Sequence, residues 1–321
     1  MSIKEEHPNR DYTFHNPHDT KIILFGEISK KGEWRFNRKK NREEKIDWWY
    51  ECKHDFIKNV NLLFGKFIPI NLVRYEESNN KDKYLQLVIK EFENAKNKWS
   101  NFTFLKNRHE ELIRCLGDMG FNHKKICAKC TWRLVIGLGA THPQETSMTL
   151  HHIYGFPYIP GSAVKGITRH WAVLKFSYNT KEANQKIENI ISRVSSALER
   201  GENLEIEVDG IKFQELIEIF GTQKQAGKVI FMDAYPEEDI NLKIDIINVH
   251  YPEYYSGSKP PADWQNPRPV KFLTVEKTSF SFTLLSRDTH LLSNAQKLLK
   301  EALKHHGIGA KTSLGYGLFF T

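Results

Sequence analysis

The chain has 321 residues, of which 47 are Lys or Arg and 39 are Asp or Glu, so its formal net charge at pH 7 is +8. With 40% hydrophobic and 27% charged residues, the composition is globular and excludes a chain that is disordered throughout. No stretch approaches the roughly 20 uncharged apolar residues that a membrane helix needs, and the polar first seven residues do not resemble a signal peptide. We therefore expect a cytoplasmic protein, neither membrane-bound nor secreted.

Four cysteines are too few for a disulfide scaffold in a chain of this length. Cys127 and Cys130 form a CxxC pair with Cys115 and His123 upstream, but no second CxxC or HxxxH completes a zinc site. We expect reduced thiols, with no metal and no other cofactor.

Residues 1–55 are predicted to form a basic, aromatic-containing N-terminal extension that is largely irregular. Seven cations lie between Lys30 and Arg42, and Trp34 and Phe36 lie among them. Interleaved cations and aromatic rings suit phosphate contacts and base stacking, although a solvated basic loop explains them equally well. A small hairpin within residues 21–36 is a further possibility.

The rest of the chain alternates between predicted strands and single helices. Apolar periodicity, capping residues and glycine stops place most boundaries. In chain order they are a helix over 81–99, a strand over 131–137, helices over 179–201 and 213–220, a strand over 228–234, a proline-rich loop over 248–270, a strand over 277–285, and a helix from Asp288 or Thr289 to Gly307. This alternation predicts an α+β fold of the ferredoxin-like or RRM-like type.

A glycine-rich stretch follows the last predicted helix. Four glycines within residues 307–317, Gly309 among them, permit the backbone to approach a ligand closely, and Lys311, Thr312 and Ser313 add donors suited to phosphate. The order helix, loop, strand is the reverse of a P-loop, so nucleoside triphosphate binding is disfavoured. A tight connection without any ligand is the plain alternative.

Residues 155–169 lead from an aromatic–proline loop into a helix predicted to start near Ser162, whose hydroxyl could cap it. Lys165 and Arg169 are four residues apart and thus share a helix face. Two cations near a helix N-terminus favour an anion site, although both side chains could simply be solvated.

Residues 137–146 form a loop that contains His142. That histidine could supply a general base, but no evident nucleophile accompanies it in the sequence.

Five stretches, in order along residues 60–320, carry a family resemblance. They are Asn61–Phe67, Tyr158–Ser162 followed by Lys165, Gly166 and Arg169, Phe231–Pro236, His250–Tyr255, and the glycine-rich Gly307–Gly317. The chain resembles the RAMP superfamily of CRISPR-associated proteins and, within it, the group that supplies the sixth subunit of type III-B (Cmr) effector complexes.

The resemblance implies an RRM-like RAMP core with large insertions over residues 56–321. It also implies a non-catalytic, RNA-binding scaffold in antiviral defence, which binds toward the 3′ end of a guide RNA, meets the target RNA and contacts other RAMP subunits. Target cleavage would belong to a neighbouring subunit. The residues expected to contact RNA are Ser162, Lys165, Arg169, Gly309, Lys311, Thr312, Ser313 and His142.

Two alternatives remain open. One is a RAMP-type, metal-independent endoribonuclease that processes precursor guide RNA, with His142, His151, His152 or His170 as general acid or base. The other is an adaptor that binds only proteins, for which RNA affinity would be poor and insensitive to salt.

Overall fold

The structure is a computed structural model. It describes residues 11–15, 22–25, 28–37, 42–52, 59–65, 68–69, 78–96, 100–142, 145–180, 186–237, 240–249, 252–262, 264 and 268–321.

The described helices and strands alternate along most of the chain. The helices are α1 (Val60–Gly65), α2 (Ser78–Lys96), α3 (Ser100–Asp118), α4 (Gly161–Asn179), α5 (Ile187–Arg200), α6 (Phe213–Phe220), α7 (Pro252–Tyr255) and α8 (Thr289–His305). The strands are β1 (Asp11–His15), β2 (Ile22–Phe25), β3 (Ile28–Asn37), β4 (Arg42–Cys52), β5 (Ile68–Pro69), β6 (Asn122–Cys130), β7 (Arg133–Leu134), β8 (Glu207–Val208), β9 (Ile211–Lys212), β10 (Ile230–Phe231), β11 (Tyr235–Pro236), β12 (Asn241–Val249), β13 (Arg268–Glu276), β14 (Ser279–Ser286) and β15 (Phe319–Phe320).

The chain divides into two compact units. The first comprises Met1–Lys98, His142–Glu145 and His152–Phe156, and the second comprises the rest. In the first unit, β1 pairs antiparallel with β2 and β5, and β3 pairs with β4 in a separate hairpin. The described part of the basic segment between Lys30 and Arg42, which was expected to be irregular, therefore belongs to β3 and β4. The predicted boundary at residue 55 stays a prediction.

The main sheet of the second unit is built around β14. Its strand order is β10-β14-β6-β15, with β11 also paired to β14, and all of these pairings are antiparallel. The aromatic residues Phe280 and Phe282 are fully buried, and both contact the ring of Phe319 edge-on, at 6.1 and 5.5 Å. Helix α8 packs on the sheet through an unbroken apolar face from Leu291 to Leu303.

A second sheet of the same unit has the order β12-β13-β7. Strands β12 and β13 form a hairpin with nine residue pairs in register. The loop predicted over 248–270 was too long: residues 248–249 belong to β12 and residues 268–270 to β13, and the short helix α7 lies between them.

The opposite face of the main sheet carries polar side chains and is met by α3. Glu237, which follows β11, joins the two: its carboxylate lies 2.9 Å from Lys106 Nζ on α3 and 2.6 Å from Lys125 Nζ on β6. Burial favours the neutral acid, but the hydrogen bonds from both lysines outweigh this effect and lower the pKa of Glu237 from its usual 4.5 to about 2.

Several predicted elements are confirmed. Helix α6 has the predicted bounds and ends at Gly221, α8 begins after the capping Asp288, β14 has Phe280 and Phe282 on one face, and β15 follows the glycine-rich stretch. The helix predicted over 81–99 is α2.

Three boundaries were wrong. The strand predicted over 131–137 reduces to the two residues of β7, because the long strand is the preceding β6. The helix predicted from Asn179 starts only at Ile187, since Asn179 ends α4, where its side-chain amide donates to the Lys175 carbonyl. The strand predicted over 228–234 reduces to β10 and an isolated bridge at Ala234.

A search of the described residues finds no helix that combines the length and apolarity needed to cross a membrane.

The Glu237 ion pairs should stabilise the fold against acid. The folded-state pKa lies below the usual 4.5, so the contribution is present above pH 4.5 and is lost as the pH falls through about 2. Glu237→Gln should lower the free energy of unfolding at pH 7 by about 1–2 kcal/mol, after allowance for the partly exposed lysines. The measurement is urea unfolding from pH 7 to pH 2.

The matched control is Glu253→Gln, because Glu253 pairs with Lys259 on the surface at 3.0 Å. This change should cost less than about 0.5 kcal/mol. Equal losses for the two variants would contradict the role given to Glu237.

Candidate nucleic-acid interface

Helix α4 begins one residue before the predicted start, and its cap comes from a distant residue. Pro160 occupies the N-cap position, which has no side-chain hydrogen bond of its own. The backbone N–H of Gly161 instead donates to Asp233 Oδ1 at 2.7 Å. A Cβ at Gly161 would lie 2.3 Å from the Phe231 carbonyl oxygen, so glycine is required there. The prediction that Ser162 caps α4 was wrong; its side chain is exposed on the first turn.

Lys165 and Arg169 lie one turn apart on α4, as predicted, but their surroundings differ. Arg169 Nη2 is 3.1 Å from Glu199 Oε1 of α5 and donates to the Ser195 carbonyl at 3.4 Å. Lys165 has no carboxylate partner within the described part of the chain. Its pKa is lowered by partial burial and by the positive charge of Arg169. Of the two cations, Lys165 is the one whose charge is left uncompensated.

Histidines lie beside these two cations where α4 crosses the C-terminal end of α8. His170 stacks on His306 with ring centroids 4.8 Å apart, and Trp171 stacks on His305 at 5.6 Å. Partial burial and the proximity of His170 lower the pKa of His306. We call Lys165, Arg169, His170, His305 and His306 the α4–α8 basic cluster.

The glycine-rich stretch after α8 is a tightly folded loop. Left-handed backbone conformations occur at all four glycines and at Lys311, whose φ is 62°. A Cβ at Gly309 would lie 2.3 Å from the Val135 carbonyl oxygen, and one at Gly317 would lie 1.9 Å from that of Ile308. These close approaches require glycine at both positions.

The backbone amides of this loop are largely taken up by the fold. Ala310 N–H donates to the Val135 carbonyl at 2.9 Å, and Gly317 N–H donates to the Arg133 carbonyl at 2.7 Å. The amide of Ile308 donates to Gly317. These three amides are therefore not available to a ligand.

The predicted loop side chains differ in exposure. Ser313 is exposed, whereas Thr312 and Lys311 are half-buried on a 3-10 turn that spans Thr312–Leu314. The Lys311 ammonium lies over the rings of Phe272 and Tyr316, at 5.1 and 5.7 Å from their centroids. Lys311 is thus held in place by cation–π contacts.

A charged network anchors the loop to the β12–β13 hairpin. The Tyr316 hydroxyl donates to Asp245, which also pairs with Arg133, and Arg133 Nε is 3.6 Å from Glu276 Oε1. Burial would raise the pKa of Asp245, but hydrogen bonds from Tyr316 and Arg133 outweigh it and lower that pKa. Sequence reasoning missed this network because its members lie far apart along the chain.

His142 lies in the first compact unit, where it is packed rather than free. Its Nε2 is 2.8 Å from the Phe64 carbonyl oxygen, and its ring stacks on that of Phe64 with centroids 4.4 Å apart. This position suits a structural role, so the geometry gives no support to His142 as an RNA contact or general base. The other predicted residues lie in the second unit, with Ser162, Lys165 and Arg169 on α4 and the rest on the glycine-rich loop.

The CxxC pair does not form a ligand set. Cys127 is exposed and Cys130 is buried, because an odd spacing within β6 places them on opposite faces of the strand. Burial raises the pKa of Cys130 to about 11. The described residues contain no group of three or more His, Cys, Asp or Glu side chains that could hold a metal ion.

Asp233 should be a capping residue of α4 despite lying 72 positions away. Asp233→Ala should lower the free energy of unfolding by about 1–2 kcal/mol, because it removes both the acceptor and a negative charge at a helix N-terminus. Asp233→Asn keeps an acceptor oxygen and should lose about half as much. Urea unfolding of the wild-type chain and the two variants measures these losses. An Asp233→Ala variant as stable as the wild-type chain would contradict the capping role.

Substitution of two glycines in the loop distinguishes the cost of backbone strain from the cost of a steric clash. Gly315→Ala meets no atom within 4 Å and should cost about 1 kcal/mol, since only the left-handed φ of 88° opposes it. Gly309→Ala also meets the Val135 carbonyl and should cost at least about 3 kcal/mol. Thermal unfolding of both variants tests the difference, and equal costs would show that the loop can relax.

Comparison with curated proteins identifies relatives over part of the chain. CRISPR system Cmr subunit Cmr6 of Pyrococcus furiosus is 42% identical over 218 residues, which cover 58% of this chain and 64% of that protein. Cmr6 of Saccharolobus solfataricus is 28% identical over 178 residues, which cover 54% of this chain and 48% of that protein. The chain thus spans about half to two thirds of the length of these relatives.

Solved structures give matches of the same kind. The crystal structure of Cmr6 from Pyrococcus furiosus matches with 35% identity and a TM-score of 0.45, covering 62% of this chain and 97% of that one. A chain of the type III-B Cmr-beta complex bound to cognate target RNA matches with 26% identity and a TM-score of 0.48, covering 67% and 63%. The RAMP superfamily model matches residues 128–319, from within β6 to within β15. The chain belongs to the RAMP superfamily.

Proposed function

We propose that the chain is a subunit of a type III-B CRISPR (Cmr) ribonucleoprotein effector complex. In this role it binds the guide RNA toward its 3′ end, lies close to the target RNA and contacts neighbouring RAMP subunits in the cytoplasm, as part of defence against invading nucleic acid. The proposal is supported by 42% identity to a Cmr6 protein and by membership in the RAMP superfamily.

The observation that carries the RNA-binding part is the uncompensated charge of Lys165. The Lys165 ammonium is partly buried, has a second cation one turn away and has no carboxylate partner among the described residues. A bound anion would therefore stabilise its charged form. Phosphate is an anion that recurs along any RNA irrespective of sequence, and a scaffold must accept every guide sequence. The α4–α8 basic cluster places Arg169 and three histidine rings beside Lys165.

The loop residues contribute in a different way. Lys311 and Ser313 present a cation and a hydroxyl from a loop whose backbone is fixed by hydrogen bonds to β7. A fixed loop loses little conformational entropy when it binds, so even a few side-chain contacts contribute usefully. Arg169 contributes less to RNA binding than Lys165, because Glu199 already neutralises its charge.

The proposed role is non-catalytic. His142 is packed on Phe64, and the His151 ring packs edge-on against Tyr158 with centroids 5.5 Å apart. These surroundings fit packing roles better than roles as general acids or bases.

One observation favours a second function, metal-independent cleavage of RNA. His170 and His306 are stacked beside cations, and a pair of imidazoles is what acid–base catalysis of phosphoryl transfer requires. Incubation of the chain with a repeat RNA in the presence of EDTA discriminates the two functions. Cleavage by the wild-type chain that His306→Ala abolishes would favour the ribonuclease, and intact RNA would favour the scaffold.

Reversal of one charge tests the proposed function. Lys165→Glu should reduce RNA recovered with the tagged chain from its native cells by about tenfold at moderate salt. The slope of log affinity against log salt concentration should also become less steep, by about the amount expected for one phosphate contact. Co-purified proteins, identified by mass spectrometry, should remain RAMP subunits, and the recovered RNA should be guides with defined 3′ ends.

The matched control is Lys243→Glu, which makes the same charge change at an exposed lysine on β12. This variant should retain RNA to within about twofold. Unchanged RNA recovery with a folded Lys165→Glu chain would contradict the RNA-binding part, and absence of RAMP partners from the wild-type purification would contradict the complex.

A further inference from the structure

A cavity of about 420 Å³ lies between α3 and the polar face of the main sheet. Its walls come from α3, β6, β11 and β14, all within the second compact unit. This volume falls in the range of roughly 300–1,000 Å³ that small-molecule sites occupy. Helix α3 precedes residues 128–319, so the roof of the cavity lies outside the segment that matches the RAMP family model.

The floor of the cavity presents an unpartnered hydroxyl. Thr283 is only 1% exposed, lines the cavity, and its Oγ1 has no hydrogen-bond partner. Ser281, 7% exposed, lines the same floor; its hydroxyl lies near Glu237 and lowers the pKa of that carboxyl, but falls short of a hydrogen bond. Buried polar atoms are nearly always paired, so an orphaned hydroxyl that faces a cavity indicates a missing polar ligand.

The side walls are aromatic and apolar. Tyr235 meets His109 edge-on, with ring centroids 5.4 Å apart, and Leu105 and Ile113 of α3 lie along the same cavity. Burial and the nearby Lys125 lower the pKa of His109, so its imidazole is neutral at pH 7 and can both donate and accept. A planar ring with polar edges fits such walls better than an aliphatic chain or a sugar.

The exposed rim carries an arginine and a histidine. Arg114 is largely solvent-exposed and only loosely paired with Glu111, at 3.6 Å, and His123 lines the cavity and is also exposed. Glu110 is the carboxylate among the exposed lining residues, while Glu237 is neutralised by two lysines. The lining as a whole has three cations, Lys106, Lys125 and Arg114, against two carboxylates, which is a formal charge of +1 and favours an anionic group attached to the planar ring.

We propose that this cavity binds a single nucleotide, with the base inside and the phosphate at the rim. The base lies against Tyr235 and His109, the Thr283 hydroxyl bonds to a base edge, and Arg114 contacts the phosphate. A threonine hydroxyl donates and accepts, so it serves any of the four bases. The nucleotide is either free or one residue of an RNA strand, and the cavity recognises the same chemistry in both.

The test is isothermal titration calorimetry of the full chain with AMP, GMP, CMP and UMP. At least one should bind, and ribose 5-phosphate and inorganic phosphate should bind at least about tenfold more weakly because they lack a base. Thr283→Val removes the hydroxyl at constant shape and should weaken binding by about tenfold. The same change should leave the unfolding temperature equal or higher, since it removes an unpaired buried hydroxyl.

A matched pair on α3 controls for loss of fold. Ile113→Trp fills the cavity and should abolish binding, whereas Leu112→Trp, at a residue that is 47% exposed, should leave affinity within about twofold. Circular dichroism confirms folding of each variant. Equal binding by the two tryptophan variants would overturn the proposal.

Competition distinguishes the two sources of nucleotide. If single-stranded RNA displaces the bound nucleotide from the wild-type chain, the cavity takes a residue of the strand; if it does not, the ligand is a free nucleotide. Absence of binding by all four nucleotides to the folded chain would overturn the proposal, as would equal affinity for inorganic phosphate. Neither result bears on RNA retention through Lys165, so the two proposals fail separately.

Discussion

The burial of β14 on both faces is the constraint on which the second unit depends. It is hydrogen-bonded to β6 on one side and to β10 and β11 on the other. One face buries Phe280, Phe282 and Leu284 completely under α8. The other face carries Ser281 and Thr283 and is roofed by α3. A central strand covered on both sides cannot slip by one residue, because a slip would drive hydroxyls into the apolar layer and phenylalanines into the cavity.

The position of the glycine-rich loop follows from this arrangement. Helix α8 must end near the edge of the sheet because its apolar face is fixed on β14, and β15 must return to pair with β6. Thirteen residues, 306–318, connect α8 to β15 and pass beside β7, with left-handed backbone at Gly307, Gly309, Gly315 and Gly317. The glycines are thus explained by chain geometry, without reference to a ligand.

Sequence reasoning succeeded where local signals decide the structure. Helix α8 has an uninterrupted apolar face and Asp288 as a side-chain cap, and α6 ends at Gly221, so periodicity and capping were sufficient. It failed at β6, because the face of this strand that meets α3 carries Lys125, whose charge is satisfied by Glu237. It also failed at β12 and β13, whose outer faces are partly exposed.

The residues of the candidate site also divide into those placed correctly by local sequence signals and those whose surroundings depend on contacts distant along the chain. That Lys165 and Arg169 share a helix face follows from their spacing, and the resemblance to the RAMP superfamily pointed to the correct family. The capping of α4 by Asp233 and the pairing of Arg169 with Glu199 depend on contacts 72 and 30 positions apart. No local pattern reports such contacts, so Ser162 was chosen as the cap and Arg169 was taken to be as available as Lys165.

Ion pairing, more than net charge, decides which cations can meet a nucleic acid. The chain carries a formal charge of +8, yet Lys175 is held between Asp209 and Glu301, at 2.6 and 2.7 Å. Arg133 is likewise held by Asp245 and Glu276. A cation bound in this way must break or share an existing ion pair before it contacts phosphate. The free energy lost from that pair cancels much of the free energy gained from the phosphate contact. Lys165 has no such pair to break within the described residues, and its one charged neighbour repels it. Its binding to phosphate relieves an unfavourable interaction as well as forming a favourable one, and this double effect distinguishes it from the more numerous surface lysines.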